Sequence, residues 1–268
     1  MTTRLDRCFA GLRARSEKGF IAYIGAGDPS FAATVELALA LEKAGTDVLE
    51  LGVPFSDPLA DGIVNQLAAQ RALKAGATVR GVLDCVAEIR RASQLPIVLY
   101  TYLNPIVQFG VAEFYRAAEA AGVDGLLILD LPPEEKLEGQ SETLAHIRLV
   151  APTTPRKRLE QICARGAGFI YYVSREGVTG AQSSVADTMA GRVAEIRACT
   201  ELPIAVGFGV STPEQAAEVA RHADAVVVGS VIVNQIAEHG AAPNLAARVG
   251  AFVAPLVRAT KSRAGRAI

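Results

Sequence analysis

Short, nearly unbroken apolar runs recur along the chain, and segments with apolar residues three or four positions apart lie between them. Unbroken runs of about four to eight residues are typical of strands buried on both faces of a parallel sheet. The wider spacing is typical of amphipathic helices. Eight apolar runs stand out, at residues 20–25, 47–53, 96–102, 125–131, 146–152, 169–175, 203–209 and 225–230. The pattern therefore predicts a strand–helix unit repeated along the chain.

The helical segments also carry signals for where they begin and end. Residues 31–45 end at a glycine, which favours the left-handed backbone conformation that follows many helices. Residues 212–223 open with Thr212, Pro213 and Gln215. These three residues predict an N-cap, a first-turn proline and a capping-box partner.

Eight strand–helix units in 268 residues predict a (β/α)8 barrel, the TIM barrel, in which parallel strands close into a cylinder. The stretch 1–18 predicts an extra N-terminal helix ahead of the first strand. No linker or low-complexity tract interrupts the pattern, so we expect one domain over residues 1–268. The alternative is an open doubly wound sheet. That fold would be supported by the dinucleotide-binding fingerprint Gly-x-Gly-x-x-Gly. Gly25-Ala26-Gly27 begins this pattern, but residue 30, where the third glycine would stand, is a serine.

Composition narrows the class of protein further. Half of the residues are hydrophobic, 6% are aromatic and none is tryptophan, which fits an α/β protein rather than a β-sandwich. The formal net charge of −1 indicates neither a nucleic acid nor an acidic membrane as partner. The N-terminus lacks the apolar segment of a signal peptide, and no apolar run reaches membrane-spanning length. Four separate cysteines and three histidines without metal-ligand spacing predict a cytoplasmic protein with no metal site.

One charged residue, Glu50, interrupts the second apolar run. An unpaired carboxylate costs several kcal/mol to bury, so Glu50 is either a satisfied core residue or a functional one. Alternation places it on one face with Val48 and Gly52. If that face lines the barrel, Glu50 points toward the mouth, where barrel active sites lie, and Asp61 follows in the next loop. If Glu50 is buried, its raised pKa would let it transfer protons, while a more solvent-exposed carboxyl such as Asp61 would stay ionised.

Glycines cluster in three later loops that a barrel would bring to the same mouth. Gly180 follows the sixth run, Gly209 ends the seventh, and Gly229 with Ser230 ends the eighth and opens a helix. Glycine lets the backbone approach a ligand, and a helix N-terminus attracts anions. The glycines alone could form tight turns, but loops after barrel strands 7 and 8 often hold phosphate, which we therefore expect here. We also expect residues 176–188 to form a mobile lid over it.

Taken together, these motifs resemble the tryptophan synthase α subunit family. The resemblance covers essentially the whole chain and rests on ELGVPFSDPLADG (50–62), GDPS (27–30), YTYLNP (100–105), SREGVTG (174–180), GFGVS (207–211) and VVGSVIV (227–233). It implies a (β/α)8 enzyme that splits indole-3-glycerol phosphate into indole and glyceraldehyde 3-phosphate. It implies no metal and no cofactor in this chain. The implied partner is a β subunit that carries pyridoxal phosphate and receives the indole within an α2β2 heterotetramer.

The resemblance also implies roles for individual residues. Glu50 would shuttle protons, Asp61 would hold the indole N–H as positive charge develops on the ring, and Thr179 would order Asp61 when the site closes. The residues expected to line the substrate site are Tyr23, Tyr100, Tyr102, Leu127, Tyr171 and Phe208. The expected phosphate cradle consists of Gly180, Gly209, Gly229 and Ser230. Two residues of the loop after the second strand, Pro54 and Asp57, would face the β subunit.

The sequence departs from the common family pattern at the pocket. Residues 63–66 read Ile-Val-Asn-Gln where Pro-Thr-Ile-Gln is common. Tyr23 stands where phenylalanine is common, and Gly25 where threonine is common. None of these departures removes a catalytic group.

Three other functions fit parts of the pattern. One is a free-standing lyase that releases indole without a β partner. Another is a different phosphate-binding barrel, such as an isomerase or synthase acting on an aminated sugar phosphate, which would not need Glu50 and Asp61 together. The last is a regulatory subunit with no reaction of its own, against which a costly buried acid argues.

Overall fold

The strand–helix repeat of the sequence becomes a parallel sheet surrounded by helices. The structure is a computed structural model that describes residues 3–173, 182–207 and 209–262. Its strands are β1 Gly19–Gly25, β2 Val48–Gly52, β3 Ile97–Thr101, β4 Gly125–Ile128, β5 Ala145–His146, β6 Arg148–Val150, β7 Ile170–Val173, β8 Ile204–Gly207 and β9 Ala225–Val228. Its helices are α1 Arg4–Ala14, α2 Phe31–Lys43, α3 Ile63–Lys74, α4 Val79–Arg90, α5 Leu103–Phe109, α6 Val111–Ala121, α7 Arg156–Ala164, α8 Gln182–Arg197, α9 Pro213–His222, α10 Ser230–His239 and α11 Leu245–Lys261.

The sheet closes into a nearly complete barrel. The strand order is β5-β4-β3-β2-β1-β9-β8-β7-β6, so β1 and β9, the first and last strands along the chain, lie side by side. At the other seam, β5 pairs with β4, β6 pairs with β7, and only Ile147 separates β5 from β6. The fifth predicted strand is therefore observed in two pieces, because it changes its neighbour partway along. The predicted (β/α)8 barrel with an extra N-terminal helix is confirmed, and the open doubly wound sheet is wrong.

The barrel interior is filled by side chains from alternate strand positions, and α1 covers one end of it. Leu5, Phe9 and Leu12 of α1 are buried in the same apolar cluster as the inward-facing residues of the strands. The rings of Phe9 and Phe169 lie 5.8 Å apart between centroids, at the N-terminal end of β7. Because this end is plugged, the open end is the C-terminal one, where the strand–helix loops meet.

The predicted helix ends agree with the structure except in one detail. Helix α2 ends just before Gly45, whose φ of 102° is the left-handed conformation. The Thr212 hydroxyl accepts from the backbone N–H of Gln215 at 3.3 Å, as predicted. The capping box is wrong, however, because the Gln215 side chain accepts from Ser211 N–H at 2.8 Å and not from Thr212 N–H. The Ser211 hydroxyl donates to the same oxygen, which makes Ser211 the better partner.

Two further findings concern the chain as a whole. All four cysteines are free thiols. Within the described ranges, no helix combines the length and the apolar character needed to cross a bilayer.

Candidate active site

Glu50 lies in the middle of β2, between β1 and β3, in register with Tyr23 and Val98. It lines a cavity at the barrel mouth, so the predicted inward-facing parity is confirmed by the structure. The residue is only 1% exposed, and neither carboxylate oxygen has a hydrogen-bond partner among the described residues. Burial without compensation raises the pKa of Glu50 to about 8. Glu50 is therefore mostly protonated at neutral pH and is not a satisfied core residue within the described structure.

The raised pKa of Glu50 makes a prediction about stability. Unfolding returns the carboxyl to its ordinary pKa of 4.5, so the folded state holds a proton that the unfolded state releases. The free energy of unfolding should therefore fall by a few kcal/mol as pH rises from about 4.5 to 8, and level off above that. The free energy of unfolding of Glu50→Gln should lack this pH dependence. Urea denaturation of both proteins at pH 5 and pH 8.5 checks it, and a stability difference that does not change with pH would contradict it.

Asp61 lies just before α3, and its carboxylate is held by hydrogen bonds from two elements. The Tyr102 hydroxyl donates to Oδ2 at 2.7 Å, and the Tyr100 hydroxyl donates to Oδ1 at 3.1 Å. Asn65 Nδ2 donates to the same Oδ1 at 3.4 Å, and Gln66 Nε2 donates to the Asp61 backbone carbonyl at 2.9 Å. Sequence reasoning did not assign Asn65 to the site. Its position four residues after Asp61, across a helix start, is the signal that would have found it.

One cavity of about 370 Å³ brings the two carboxyl groups together. Glu50 and Asp61 line it together with Gly209, Gly229 and Ser230 of the later loops. The structure thus unites side chains from β2 and its loop with the glycine sites after β8 and β9, as the barrel topology predicts. The remaining lining residues are Tyr23, Ala60, Gly62, Asn65, Tyr100, Tyr171, Val173, Gly207, Val210, Val227 and Val231.

Aromatic side chains form much of the cavity wall, and glycines make room for them. The rings of Tyr23 and Tyr100 meet edge to face, 5.1 Å between centroids and 71° apart. A Cβ atom on Gly52 would lie 2.4 Å from the Tyr23 hydroxyl, and one on Gly207 would lie 2.6 Å from the Tyr171 hydroxyl. Only glycine fits at these two positions with the tyrosines where they are. Burial raises the pKa of Tyr23 and Tyr171 well above the ordinary value, so both phenols stay neutral.

Part of the cavity wall is formed by a helix N-terminus. Helix α10 begins at Ser230, with Gly229 as its N-cap, and Gly229, Ser230 and Val231 all line the cavity. Gly209 has a φ of 65°, a left-handed conformation that glycine adopts without strain. A helix N-terminus presents backbone N–H groups and the positive end of the helix dipole, which together suit an anion.

Several predicted site residues lie elsewhere or outside the described residues. Leu127 is buried in the apolar interior of the barrel and is not among the described residues that line the 370 Å³ cavity. Tyr102 reaches the site through its hydrogen bond to Asp61. Thr179, Gly180 and Phe208 lie outside the described residues. The lid expected over residues 176–188 falls partly there as well, and its later residues belong to α8.

The loop between β2 and α3, which we call loop 2, turns an exposed face away from the cavity. Asp57 is exposed and Pro54 is partly buried, and neither lines the 370 Å³ cavity. Leu59 is 80% exposed and Ile63 at the start of α3 is 66% exposed. Large exposed apolar side chains that form one patch are typical of protein–protein contact surfaces, so loop 2 and the start of α3 are candidates for one.

The fold and the cavity define a class of protein: a (β/α)8 barrel enzyme with one buried protonated carboxyl and one hydrogen-bonded carboxylate at its mouth. Comparisons with known proteins narrow this class. The sequence model of the family "Tryptophan synthase alpha chain" matches residues 9–260. The chain belongs to the tryptophan synthase alpha chain family.

Individual relatives agree with that assignment. The tryptophan synthase alpha chain of Citrifermentans bemidjiense is 49% identical over 95% of this chain and 96% of its own length. That of Opitutus terrae is 49% identical over 97% of this chain and 99% of its own. The crystal structure of the α subunit from Legionella pneumophila superposes with a TM-score of 0.88 at 38% identity, covering 97% of this chain and 99% of the other.

Family membership settles the reaction class. Members of the family cleave indole-3-glycerol phosphate to indole and glyceraldehyde 3-phosphate, so the chain is a carbon–carbon lyase of tryptophan biosynthesis with a small-molecule substrate and a β-subunit partner. The alternatives of another phosphate-binding barrel and of a regulatory subunit without a reaction are set aside by this assignment.

Proposed function

We propose that Glu50 and Asp61 divide the cleavage of indole-3-glycerol phosphate between them, Glu50 moving the proton and Asp61 stabilising the charged ring. The observation that carries this proposal is the pairing, in one cavity, of a buried carboxyl without a hydrogen-bond partner in the described structure and a carboxylate held by tyrosine hydroxyls. Such a pair offers a proton donor and a fixed negative charge at the same pH.

Glu50 suits both proton transfers that the reaction needs. Cleavage of the bond between indole C3 and the glycerol chain begins with protonation of C3, which makes the ring cationic. Glu50, protonated at neutral pH, supplies that proton and becomes a carboxylate. As the carbon–carbon bond breaks, its electron pair returns to the ring, and the adjacent glycerol hydroxyl becomes an aldehyde by losing its proton to the Glu50 carboxylate. The carboxyl is thereby restored and the cycle balances.

Asp61 stabilises the intermediate between these two transfers. Protonation at C3 leaves positive charge on the ring nitrogen, whose N–H becomes a stronger hydrogen-bond donor. A carboxylate already fixed in place next to that N–H stabilises the cation without having to reorganise. Tyr100 and Tyr102 hold Asp61 for this purpose, and the neutral rings of Tyr23 and Tyr171 pack around the indole.

The phosphate of the substrate lies at the glycine-lined end of the cavity in this proposal. Gly209, Gly229 and Ser230 line that end, and the N-terminus of α10 points its N–H groups there. Gly180 as a fourth member of the cradle, and Thr179 and Phe208 as further substrate contacts, stay predictions from the sequence, because all three lie outside the described residues.

The chain works with a β subunit in an α2β2 heterotetramer and carries no cofactor of its own. Proton transfer and charge stabilisation by side chains are sufficient for the cleavage, so pyridoxal phosphate is needed only in the β subunit. The exposed residues Asp57 and Leu59 of loop 2, with the partly buried Pro54, form the contact that receives that subunit. A cytoplasmic location is supported by the four free thiols, which persist in reducing compartments.

A free-standing lyase is the second candidate, and one observation favours it. Asp61 is already held by three side-chain hydrogen bonds from within this chain, so the isolated subunit has the main part of its charge-stabilising site in place. The two candidates differ in how strongly activity depends on the partner.

The release of indole from indole-3-glycerol phosphate, measured with the purified chain alone and with a β subunit added, tests the proposal. We expect slow release alone and at least tenfold faster release with the partner, because a partner on loop 2 stabilises the closed arrangement of the site. Size-exclusion chromatography of the mixture should show the larger assembly at the same time. Equally fast release without the partner would support the free-standing lyase instead, and no release in either case would overturn the proposal.

A further inference from the structure

We propose that Asn65 and Tyr100 are positioning residues, which fix the Asp61 carboxylate so that one acceptor position remains for a ring N–H of the substrate. The inference rests on the proposed role of Asp61 and adds Asn65 to the tyrosines that hold its carboxylate.

The donors to Asp61 come from different elements of the fold. Tyr100, on β3, donates to Oδ1 at 3.1 Å, and Asn65, on α3, donates to the same oxygen at 3.4 Å. Tyr102 donates to Oδ2 at 2.7 Å. Rotation of the carboxylate would break all three bonds. Since a carboxylate offers about four acceptor positions, three side-chain donors leave one for the substrate.

The Asn65 side chain itself indicates that it serves the site rather than the packing of the fold. Its Oδ1 is buried and has no hydrogen-bond donor among the described residues, which is unfavourable for the folded state. The amide nitrogen faces Asp61 because an amide oxygen in that place would be repelled by the carboxylate. A leucine has a similar shape and would avoid the unpaired oxygen. What leucine cannot do is donate to Asp61.

The first test replaces one donor at a time in the whole chain, assayed with its β partner. Asn65→Leu and Tyr100→Phe should each lower kcat for indole release about tenfold, the scale of one hydrogen bond to a charged group. Gln70→Leu makes the same chemical change on an exposed position of α3 and should leave kcat unchanged. The melting temperature of Asn65→Leu should equal or exceed that of the wild type, which a merely structural role would not produce.

The second test uses two ligands that differ only in the ring N–H. The affinity of indol-3-ylpropyl phosphate should fall severalfold in Asn65→Leu and Tyr100→Phe, while that of the benzothiophen-3-ylpropyl phosphate, which has no N–H, should not change. In an Asp61→Ala background, neither substitution should weaken the indolyl ligand further. Equal losses for both ligands, or additive losses in the Asp61→Ala background, would overturn the inference.

The outcomes also separate this inference from the proposed function. If Asp61→Asn releases indole at the wild-type rate, the role of Asp61 itself is wrong. If Asp61→Asn is impaired while Asn65→Leu and Tyr100→Phe match the wild type, only the positioning role fails. Should Asn65→Leu not fold, Asn65→Ser removes the amide with a smaller side chain and gives the same readout.

Discussion

Replacing Glu50 by glutamine should leave the barrel intact and lower the rate of indole release by about 10³-fold or more. Glutamine has nearly the same shape as protonated glutamic acid, but it cannot give a proton to C3 or take one from the glycerol hydroxyl. General acid–base catalysis alone contributes about 10²–10⁴-fold, and here one group is asked to perform both transfers. Single-turnover measurement of indole formation gives the rate directly.

The control for this variant is Glu36→Gln, the same change on an exposed position of α2, which should release indole at the wild-type rate. Binding of indol-3-ylpropyl phosphate should be nearly unchanged in Glu50→Gln, because the effect lies in proton transfer and not in affinity. Turnover within a fewfold of the wild type would show that another group carries the proton.

Replacing Asp61 by asparagine should lower kcat by about 10²–10³-fold, the usual cost of removing one electrostatic contact to a developing charge. Asparagine removes the negative charge, and its amide group presents a donor to an N–H that needs an acceptor. The loss should appear in kcat more than in KM, since the ring carries full positive charge only after C3 is protonated. Steady-state kinetics over a range of substrate concentrations separates the two.

Asp84→Asn, on an exposed position of α4, is the matched control and should behave as the wild type. A rise in KM with unchanged kcat for Asp61→Asn would contradict the charge-stabilising role and would leave Asp61 as a simple binding residue.

Much of the site could be predicted because successive side chains along a strand point to opposite faces of the sheet. The apolar residues on either side of Glu50 predicted that it lies in a buried strand. The period of two along that strand then predicted that its side chain lines the barrel, which the structure confirms. Asp61 was predicted to lie near Glu50 because it belongs to the loop that directly follows the same strand. Both predictions used only local geometry and the rule that parallel strands end together.

The remaining details depend on distances that no local pattern contains. Leu127 pairs in register with Tyr100, which lines the cavity, yet Leu127 itself is buried in the apolar interior of the barrel and is not among the described lining residues. The phenols of Tyr100 and Tyr102 were expected to face the substrate, and the structure shows their hydroxyls on Asp61. The break at Ile147 arises where a strand exchanges one neighbour for another, which leaves no mark in the apolar pattern.

The order of the strands also determines when the barrel can close during synthesis. From β1 to β5 each strand pairs with the next one along the chain, and the same holds from β6 to β9. The two halves are joined by the backbone through Ile147 and by the pairing of β1 with β9, from Gly19 opposite Ala225 to Ala22 opposite Val228. Until β9 leaves the ribosome, β1 is an open sheet edge, a surface that readily pairs with other chains. The barrel can therefore close only after nearly the whole chain has been synthesised. The pairing of β9 with β1 then completes folding and, in the same step, covers the exposed sheet edge that favours aggregation.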